Sequence, residues 1–373
     1  MPNALLVCSS LYRHSSARLP YALKQAGFGV WIVCPHVALM RFSDYIDGGR
    51  TYKETVGIDI LVDMICDIYR ECTPDIIVPC DEATVGALPL LRGHGNPRFA
   101  KARALLDAWY GGIDPAAWMR STSVEAVRDL GLRTPGQVDI GPSASTAAEI
   151  AALGSPVVVK RDNSCGGSGI AVVSTPEDAI DAVSRMGADR PEAFGAGWIV
   201  AQEFIRGRSA SVTFSAVQGK VLEAFAYVAV HQHPELCGPA TVIDVVDCPA
   251  LLDHASRIVA GLKYSGFGGV DFILPDDGGP PVFLELNGRP TQTTHLGSLV
   301  GADLCRAMAC AITGEPYSRA SNTAKIGTVA LFPSEWIRDK NSRHLVQSYH
   351  DVPWHERRIA ATTIGITPQL LSG

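Results

Sequence analysis

Residues 281–290 read PVFLELNGRP, an apolar stretch with the composition of a buried strand that ends in polar residues. The strand carries Glu285 and Asn287 two positions apart, and Arg289 follows after one glycine. Because successive side chains of a strand point to opposite faces, Phe283, Glu285 and Asn287 are predicted to share one face. A carboxylate, an amide and a guanidinium at the end of an apolar strand indicate that this end contacts something other than the core.

The preceding strand, GVDFIL, is joined to this one by PDDGGP, a turn rich in residues that tolerate unusual backbone angles. If the hairpin is centred on Gly278, Ile273 lies opposite Phe283 and Asp271 lies opposite Glu285. Two carboxylates that face each other across an antiparallel pair lie about 5 Å apart and repel each other. A cation between them is therefore expected.

The predicted ligands Asp271, Glu285 and Asn287 offer only oxygen donors, a set that favours Mg²⁺ or Mn²⁺ over zinc. The alternative is a register shifted by one residue, which would place Asp271 on the solvent face. The two strands by themselves leave both registers open.

A second stretch, residues 156–173, reads PVVVKRDNSCGGSGIAVV, two β-branched strands around a glycine-rich loop. Gly166, Gly167 and Gly169 allow the backbone to approach a ligand closely, and exposed N–H groups in such a loop bind phosphate oxygens. Lys160 would add a positive charge to the same phosphates. The lysine precedes the glycines, so this is not a Walker loop, and an ordinary flexible turn is the alternative.

The composition excludes several classes of protein. The 373 residues are 47% apolar, enough for a sizeable core, and the net charge is −6 without any block of Lys or Arg. Nucleic-acid and membrane-surface partners are therefore not expected. The first residues, MPNALLVCSS, lack the pattern of a secretory leader, and the ten scattered cysteines contain no CxxC. The sequence predicts a soluble, cytoplasmic protein with small-molecule partners.

The organisation along the chain is a β-α-β region followed by strands and long hairpins. About the first hundred residues predict a parallel sheet covered by helices. CSSLYRHSS follows the first strand where a dinucleotide site would need GxGxxG, so NAD binding is not expected. Asp114 is a predicted N-cap, with a helix from Pro115 to Leu130. The main elements predicted beyond it are strands at Val157–Arg161, Ile170–Val173, Trp198–Phe204, Ser211–Val217, Val221–Val230, Ala240–Val246, Gly269–Leu274 and Val282–Leu286, and helices at Leu251–Tyr264 and Leu296–Thr313.

Four stretches in order resemble the ATP-grasp superfamily, in particular its carboxylate–amine ligases and the ATP-binding domains of carbamoyl-phosphate synthetase and biotin carboxylase. They are WMRSTSVEAVRDLGLRTP, VVVKRDNSCGGSG, IVAQEFIRG and GGVDFIL with FLELNGR. The resemblance implies an α/β protein in which an N-terminal parallel-sheet domain (1–112) precedes a two-subdomain ATP-grasp fold of α+β character (113–317). Within it, the glycine-loop subdomain would span about 155–205, and 318–373 would be a C-terminal extension packed on the ATP-grasp domain.

The resemblance also implies roles for individual residues. Arg120 and Lys160 would be the two cations that bind the phosphates of ATP, and Lys160 and Arg289 would act in catalysis, with Arg289 facing the transferred phosphate. The implied ligands of Mg²⁺, or of Mn²⁺, are Asp271, Glu285 and Asn287. The other residues implied to bind ATP are Ser164, Gly166, Gly167, Ser168 and Gly169 of the loop, and Glu203, Phe204 and Ile205 of the hinge strand, where Glu203 would accept a hydrogen bond from the adenine amino group.

The implied activity is ATP-dependent ligation of a carboxylate to an amine through an acyl phosphate, with release of ADP and phosphate. Amino acids or similar small acids are the expected substrates, and homodimers are frequent in the resembled family. Two alternatives stay open. One is an ATP-dependent carboxylating enzyme related to biotin carboxylase, and the other is a nucleotide-binding protein of the same fold that has lost turnover.

Some residues depart from the family pattern or have several interpretations. Ser209, in GRSAS, stands where many members have a glutamate that holds the ribose. Thr291 and His295 lie in PTQTTHLGS, a segment with more hydroxyls than expected, and both are candidates for substrate binding. His295 would line the acceptor pocket, act as a base or have only a structural role.

Three further segments carry polar residues. Asp81 and Glu82, in VPCDEAT, follow a strand and are predicted either to face a ligand or to begin a helix, with Asp81 as its N-cap. HQHPELCG would ligate a metal or form a loop near the site, and the loop is favoured because no third ligand is apparent. No role is predicted for HDVPWHERR, residues 350–358.

Overall fold

The computed structural model describes residues 1–10, 14–53, 56–140, 147–162, 169–188, 199–319 and 327–370. Within these ranges the strands form three sheets, of four, four and seven strands. Helices and strands are both abundant, and the first sheet is parallel, as predicted. No helix in the described ranges combines the length and the apolar character needed to cross a bilayer.

The N-terminal sheet is built from β-α units and pairs in the order β3-β2-β1-β4, entirely parallel. Strand β3 has the sequence GGRTY, which carries no apolar run, and it was not predicted. The strands are β1 (Asn3–Val7), β2 (Gly29–Pro35), β3 (Gly48–Tyr52) and β4 (Ile76–Pro79). The helices are α1 (His14–Ala17), α2 (Leu19–Gln25), α3 (Ile58–Ile68), α4 (Glu82–Gly93) and α5 (Ala100–Tyr110).

Asp81 is the N-cap of α4, as predicted. Its carboxylate accepts a hydrogen bond from the Thr84 amide at 2.9 Å, and its own amide donates to Thr84 Oγ1 at 3.1 Å, which completes a capping box. The same carboxylate accepts from the amides of Ser9 and Ser10 at 2.5 and 2.8 Å. The start of α4 is therefore fixed against the end of β1.

The smaller of the two remaining sheets is antiparallel, with the order β5-β8-β6-β7 and a small core of its own. Its strands are β5 (Gln137–Ile140), β6 (Val157–Arg161), β7 (Ile170–Val173) and β8 (Ile199–Glu203). Helices α7 (Ala147–Ala152) and α8 (Pro176–Ala188) contribute to this core, whereas α6 (Arg120–Asp129) precedes the sheet in the chain and packs in the main core. The prediction of one helix from Pro115 to Leu130 was wrong, because the extended residue Met119 separates a 3₁₀ turn, Pro115–Trp118, from α6.

The large sheet has the order β13-β12-β9-β10-β11-β14-β15, antiparallel except for its last pair. Strands from the end of the chain thus continue the sheet that begins at residue 207. The strands are β9 (Gly207–Val217), β10 (Lys220–Gln232), β11 (Ala240–Val246), β12 (Gly266–Pro275), β13 (Val282–Asn287), β14 (Thr328–Ala330) and β15 (Tyr349–His350). The helices of this part are α9 (Pro249–Gly261), α10 (Leu304–Thr313), α11 (Ser334–Arg338), α12 (His344–Gln347) and α13 (Arg357–Leu370).

The prediction of a helix over Leu296–Thr313 was too long. Only a 3₁₀ turn, Thr294–Leu296, forms at its start. Gly301 then adopts a positive φ of 83°, which no right-handed helix contains. Helix α10 begins after Asp303, whose carboxylate accepts a hydrogen bond from the Arg306 amide at 2.9 Å.

The β12–β13 hairpin has the predicted register at its functional end and a different one near the turn. Asp271 pairs with Glu285, so the shifted-register alternative is excluded. Ile273, however, pairs with Val282 rather than with Phe283, because Leu284 is an extra, unpaired residue in β13. This bulge also reverses the predicted facing of Phe283, which is fully buried in the core while Glu285 lines a cavity.

Candidate active site

A cavity of about 430 Å³ lies between the small and the large sheet. Residues from both sheets line it, together with the segment 204–205 that joins them and residues from both ends of the chain. Its polar lining residues from the two sheets and the loop after β13 are Lys160, Gln202, Glu203, Ser209, Ser211, Tyr227, Gln232, Asp271, Glu285, Asn287, Arg289, Thr291, Gln292 and His295. The structure thus brings most of the described predicted site residues into one cavity.

The carboxylates of Asp271 and Glu285 converge across the β12–β13 pair. Ser211 Oγ, on the neighbouring strand β9, donates a hydrogen bond to Asp271 Oδ1 at 2.5 Å. Asn287 Nδ2 donates to Asp271 Oδ2 at 2.9 Å. Burial and the charge of Glu285 raise the pKa of Asp271, although the bonds from Ser211 and Asn287 act in the opposite direction. Two half-buried carboxylates that face each other across paired strands indicate a place where a cation would be stabilised.

The donors at this position fit Mg²⁺. Within the described ranges, no group of three or more His, Cys, Asp and Glu side chains is arranged to hold a metal ion. Asp271 and Glu285 would therefore supply two oxygen ligands, and phosphate oxygens and water would supply the rest, as is usual for Mg²⁺ at nucleotide sites. Asn287 Oδ1 accepts from Arg289 at 3.2 Å, so its role as a metal ligand stays a prediction.

Lys160 reaches the same cavity from β6. It is 6% exposed and lies next to the end of that strand, where β6 and β7 begin the glycine loop. The amide of Arg161 donates to the Gly169 carbonyl at 2.9 Å and closes the base of this loop. The predicted ATP-binding residues Ser164, Gly166, Gly167 and Ser168 lie outside the described residues. Arg120 begins α6, and its side chain is likewise not among those described.

The hinge strand β8 offers a residue that the sequence did not single out. Gln202 is 1% exposed and lines the cavity, and its Nε2 donates to Gln137 Oε1 at 2.8 Å. Its Oε1 is buried and has no hydrogen-bond partner among the described residues. Glu203, the predicted acceptor for adenine, is exposed and already accepts from the Gly136 amide at 3.1 Å. A buried amide oxygen without a partner is costly, so it marks a position where a donor is expected.

Arg289 is held by the N-terminal part of the chain. Its Nε donates to Glu82 Oε1 at 2.7 Å, and its Nη2 donates to the same carboxylate and to Asn287 Oδ1. Glu82 is the first residue of α4, immediately after the Asp81 cap. The guanidinium is 13% exposed and lines the cavity. The Glu82 pair thus orients Arg289 toward the end of β13.

The remaining candidates divide between the cavity and its surroundings. Thr291 and His295 both line the cavity, and so does Ser209. Thr291 Oγ1 lies 3.2 Å from Thr213 Oγ1, within a group of hydroxyls. The histidines of HQHPELCG do not line the cavity, but the second half of this loop does, which agrees with the loop interpretation.

Two residues of the site were not predicted from the sequence: Gln202 and Asp351. Glu82, predicted either to face a ligand or to begin a helix, begins α4 and also binds Arg289. Asp351 lies in HDVPWHERR, is 2% exposed and lines the cavity, where it binds Arg18 and His295. A polar residue inside the otherwise apolar strand β8 was an available signal for Gln202. Asp351 carried no signal, because its partners lie 56 positions or more away along the chain.

Comparison with known proteins adds independent information. The model of the ATP-grasp domain family matches residues 120–293. The chain contains an ATP-grasp domain. The match begins at the start of α6 and extends past β13, so it includes Lys160, the hinge strand, Asp271, Glu285 and Arg289. The ATP-grasp fold predicted from the sequence is confirmed.

The curated relatives reported for this chain are distant. Pyruvate carboxylase 1 of Caenorhabditis elegans is 27% identical over 203 residues, which are 50% of this chain and 16% of the relative. Phosphoribosylamine–glycine ligase of Ralstonia nicotianae is 27% identical over 267 residues, 64% of this chain and 59% of the relative. The chain thus spans less than two thirds of either protein. A solved structure, the biotin carboxylase complex from Campylobacter jejuni, superposes with a TM-score of 0.64 at 15% identity, covering 87% of this chain and 74% of that chain, which shows the fold alone.

Proposed function

We propose that the protein is an ATP-dependent carboxylate–amine ligase that forms an amide or peptide bond through an acyl phosphate. The observation that carries this proposal is the convergence of Asp271 and Glu285, with Lys160 and Arg289, in one cavity of an ATP-grasp domain. Two acidic side chains on paired strands bind a divalent ion, and two cations beside them bind phosphate. Small molecules, a carboxylic acid and an amine such as amino acids, are the proposed substrates.

The nucleotide would lie between the two sheets. Its adenine would occupy the hinge, with the amino group donating to Gln202 or Glu203 and with Phe204 and Ile205 alongside. The triphosphate would extend toward Lys160, and the contacts of Arg120 and of the glycine loop stay predictions from the sequence. Asp271 and Glu285 would hold Mg²⁺ there, and the ion would supply neutralisation of phosphate charge.

Lys160 and Arg289 have different roles in this reaction. Lys160 binds phosphate oxygens, and Arg289, with its planar fork of donors, stabilises the charge on the phosphoryl group as the substrate carboxylate attacks it. The same guanidinium is placed to bind the oxyanion that forms when the amine attacks the acyl phosphate. Walls from both sheets would shield part of this site from bulk water and so limit hydrolysis of this intermediate.

The carboxylating alternative is kept because one curated relative is a pyruvate carboxylase. Bicarbonate would then take the place of the organic acid, and ADP release would depend on it. In the ligase proposed here, ADP release depends on an organic acid and is insensitive to bicarbonate.

Hydroxylamine trapping tests the proposed function. It intercepts an acyl phosphate as a stable hydroxamate, so no knowledge of the amine is needed. The full chain would be incubated with ATP, Mg²⁺, hydroxylamine and each of the common amino acids in turn. We expect ATP-dependent hydroxamate with at least one acid. ATP hydrolysis that requires bicarbonate and yields no hydroxamate would favour the carboxylating alternative, and no turnover with any acid would contradict the proposal.

Replacing Gln202 by methionine is expected to raise the KM for ATP about fivefold, the effect of losing one neutral hydrogen bond of about 1 kcal/mol. The matched variant Glu203→Met is expected to change KM less than about twofold, because that carboxylate is exposed and bound to Gly136. Initial rates at varied ATP measure both. A larger increase in the KM for ATP in Glu203→Met than in Gln202→Met would show that Glu203 makes the adenine contact.

Replacing Glu82 by glutamine is expected to lower kcat about tenfold and to leave the KM for ATP nearly unchanged. The neutral glutamine amide binds the two N–H donors of Arg289 more weakly than the charged carboxylate does, so the guanidinium loses its fixed orientation. The control is Glu71→Gln, which removes the acid of an exposed ion pair with Arg50 in the same part of the chain. Equal kcat values in Glu82→Gln and Glu71→Gln would show that Glu82 does not act in the site.

A further inference from the structure

Part of the cavity is lined by residues that the proposed ATP site does not use. They come from the N-terminal segment before α2, from the loop after β13 and from the C-terminal segment around β15. Three of them, Arg18, His295 and Asp351, form one cluster whose side chains are 8%, 7% and 2% exposed. Three distant segments thus contribute charged and titratable groups to one wall of the cavity.

Asp351 is the centre of this cluster. Arg18 donates from Nη1 and Nη2 to the two carboxylate oxygens at 3.2 and 2.9 Å, and from Nη1 also to the Asp351 carbonyl at 2.9 Å. His295 Nε2 lies 2.8 Å from Asp351 Oδ2. Burial alone would raise the pKa of Asp351, but His295 and Arg18 hold it below its ordinary value. The carboxylate is therefore ionised at neutral pH.

The state of His295 follows from its neighbours. Burial lowers its pKa, Arg18 lowers it further, and Asp351 only partly offsets both. The groups that face it with charge are Asp351 and Arg18, and His355 is close enough to interact. A neutral ring beside an ionised carboxylate donates its Nε2 hydrogen to that carboxylate, which leaves the lone pair on Nδ1.

His295 Nδ1 is buried and has no hydrogen-bond partner among the described residues, and the ring lines the cavity. A basic ring nitrogen in a side chain that a carboxylate orients at the wall of a cavity is the arrangement that general bases require. His344 also has an unpaired ring nitrogen but does not line the cavity, so the position at the cavity distinguishes His295 among the described residues.

We propose that His295, oriented by Asp351, accepts the proton that a protonated primary amine must lose before it attacks the acyl phosphate. This inference rests on the proposed function. The ammonium group gives one proton to Nδ1, and the freed lone pair forms the C–N bond. The tetrahedral intermediate then breaks the C–O bond to phosphate, which leaves with the bonding electrons, and the second proton of the nitrogen passes to that phosphate.

The test separates the two half-reactions in the full chain. Hydroxylamine is unprotonated at neutral pH, so it needs no base, whereas amino-acid amines are protonated. The variant His295→Gln keeps a donor for Asp351 but has no basic nitrogen. With the acid that yields hydroxamate in the unmodified protein, we expect hydroxamate formation within about twofold of normal in this variant. Amide formation with amino-acid amines should fall about a hundredfold or more at pH 7 and recover as pH rises.

The controls address folding and the neighbouring groups. His344→Gln changes another buried histidine. Its Nε2 has no hydrogen-bond partner among the described residues, but the residue does not line the cavity. Both reactions should be unchanged there. Asp351→Asn should lower amide formation more than hydroxamate formation, and its melting temperature shows how much of the loss is structural, because Arg18 also loses its partner.

Each outcome is decisive. An equal loss of hydroxamate and amide in His295→Gln would assign the ring a structural role and overturn the inference. Normal amide formation with an unchanged pH profile in His295→Gln would overturn it as well. So would an unmodified protein that forms hydroxamate but accepts no amine. Absence of hydroxamate in the unmodified protein would instead contradict the proposed function itself.

Discussion

Replacing Lys160 by methionine is expected to reduce kcat/KM for ATP about a hundredfold. The loss corresponds to a charge-assisted bond to phosphate in a site that excludes much of the surrounding water. Lys160 is 6% exposed and lines the same cavity as Asp271 and Glu285. Methionine keeps most of the aliphatic volume, which confines the change to the ammonium group.

The matched control for this prediction is Lys220→Met. Lys220 is exposed at the start of β10 and does not line the cavity, so its charge should have no effect on ATP kinetics. Steady-state rates at varied ATP and a thermal melt would be measured for both variants. Normal ATP kinetics in a folded Lys160→Met protein would show that this lysine does not bind ATP.

Replacing Glu285 by glutamine is expected to abolish Mg²⁺-dependent turnover, with a loss of at least about a hundredfold, because one of two carboxylate ligands disappears. The effect on stability should have the opposite sign. In the absence of metal, Glu285 and Asp271 repel each other, so the variant should melt at the same or a higher temperature than the unmodified protein. The stabilisation produced by Mg²⁺ and nucleotide should be lost.

Asp277→Asn is the matched control for Glu285→Gln. Asp277 lies in the turn of the same hairpin, with its side chain 59% exposed and paired with Arg133. Its Mg²⁺ titration should equal that of the unmodified protein. An unchanged Mg²⁺ titration in Glu285→Gln, or a metal-free protein that is less stable, would show that the two carboxylates do not share a cation.

The parts of the fold that could be predicted are those that a few contiguous residues determine. Polar residues at the end of an apolar strand, the turn PDDGGP and the glycine loop after β6 are contiguous signals, and they led to the Asp271–Glu285 pairing and to Lys160. The Asp81 cap followed from a residue type and its position. Such features depend on backbone preferences that act within a few residues.

The parts that could not be predicted depend on distant contacts or on single irregularities. The bulge at Leu284 moves Phe283 into the core, and no local preference marks that extra residue. Arg289 is oriented by Glu82 from helix α4 of the N-terminal part of the chain, and His295 is oriented by Asp351 near the end of the chain. These pairs exist only once the tertiary fold has formed.

The most direct measurement is a crystal structure with Mn²⁺ and a non-hydrolysable ATP analogue, recorded so that the anomalous signal locates the metal. The account predicts a metal peak at coordination distance from carboxylate oxygens of both Asp271 and Glu285 and from the terminal phosphates, with Lys160 in contact with the phosphate chain. A nucleotide bound elsewhere, or a metal that touches neither carboxylate, would contradict it.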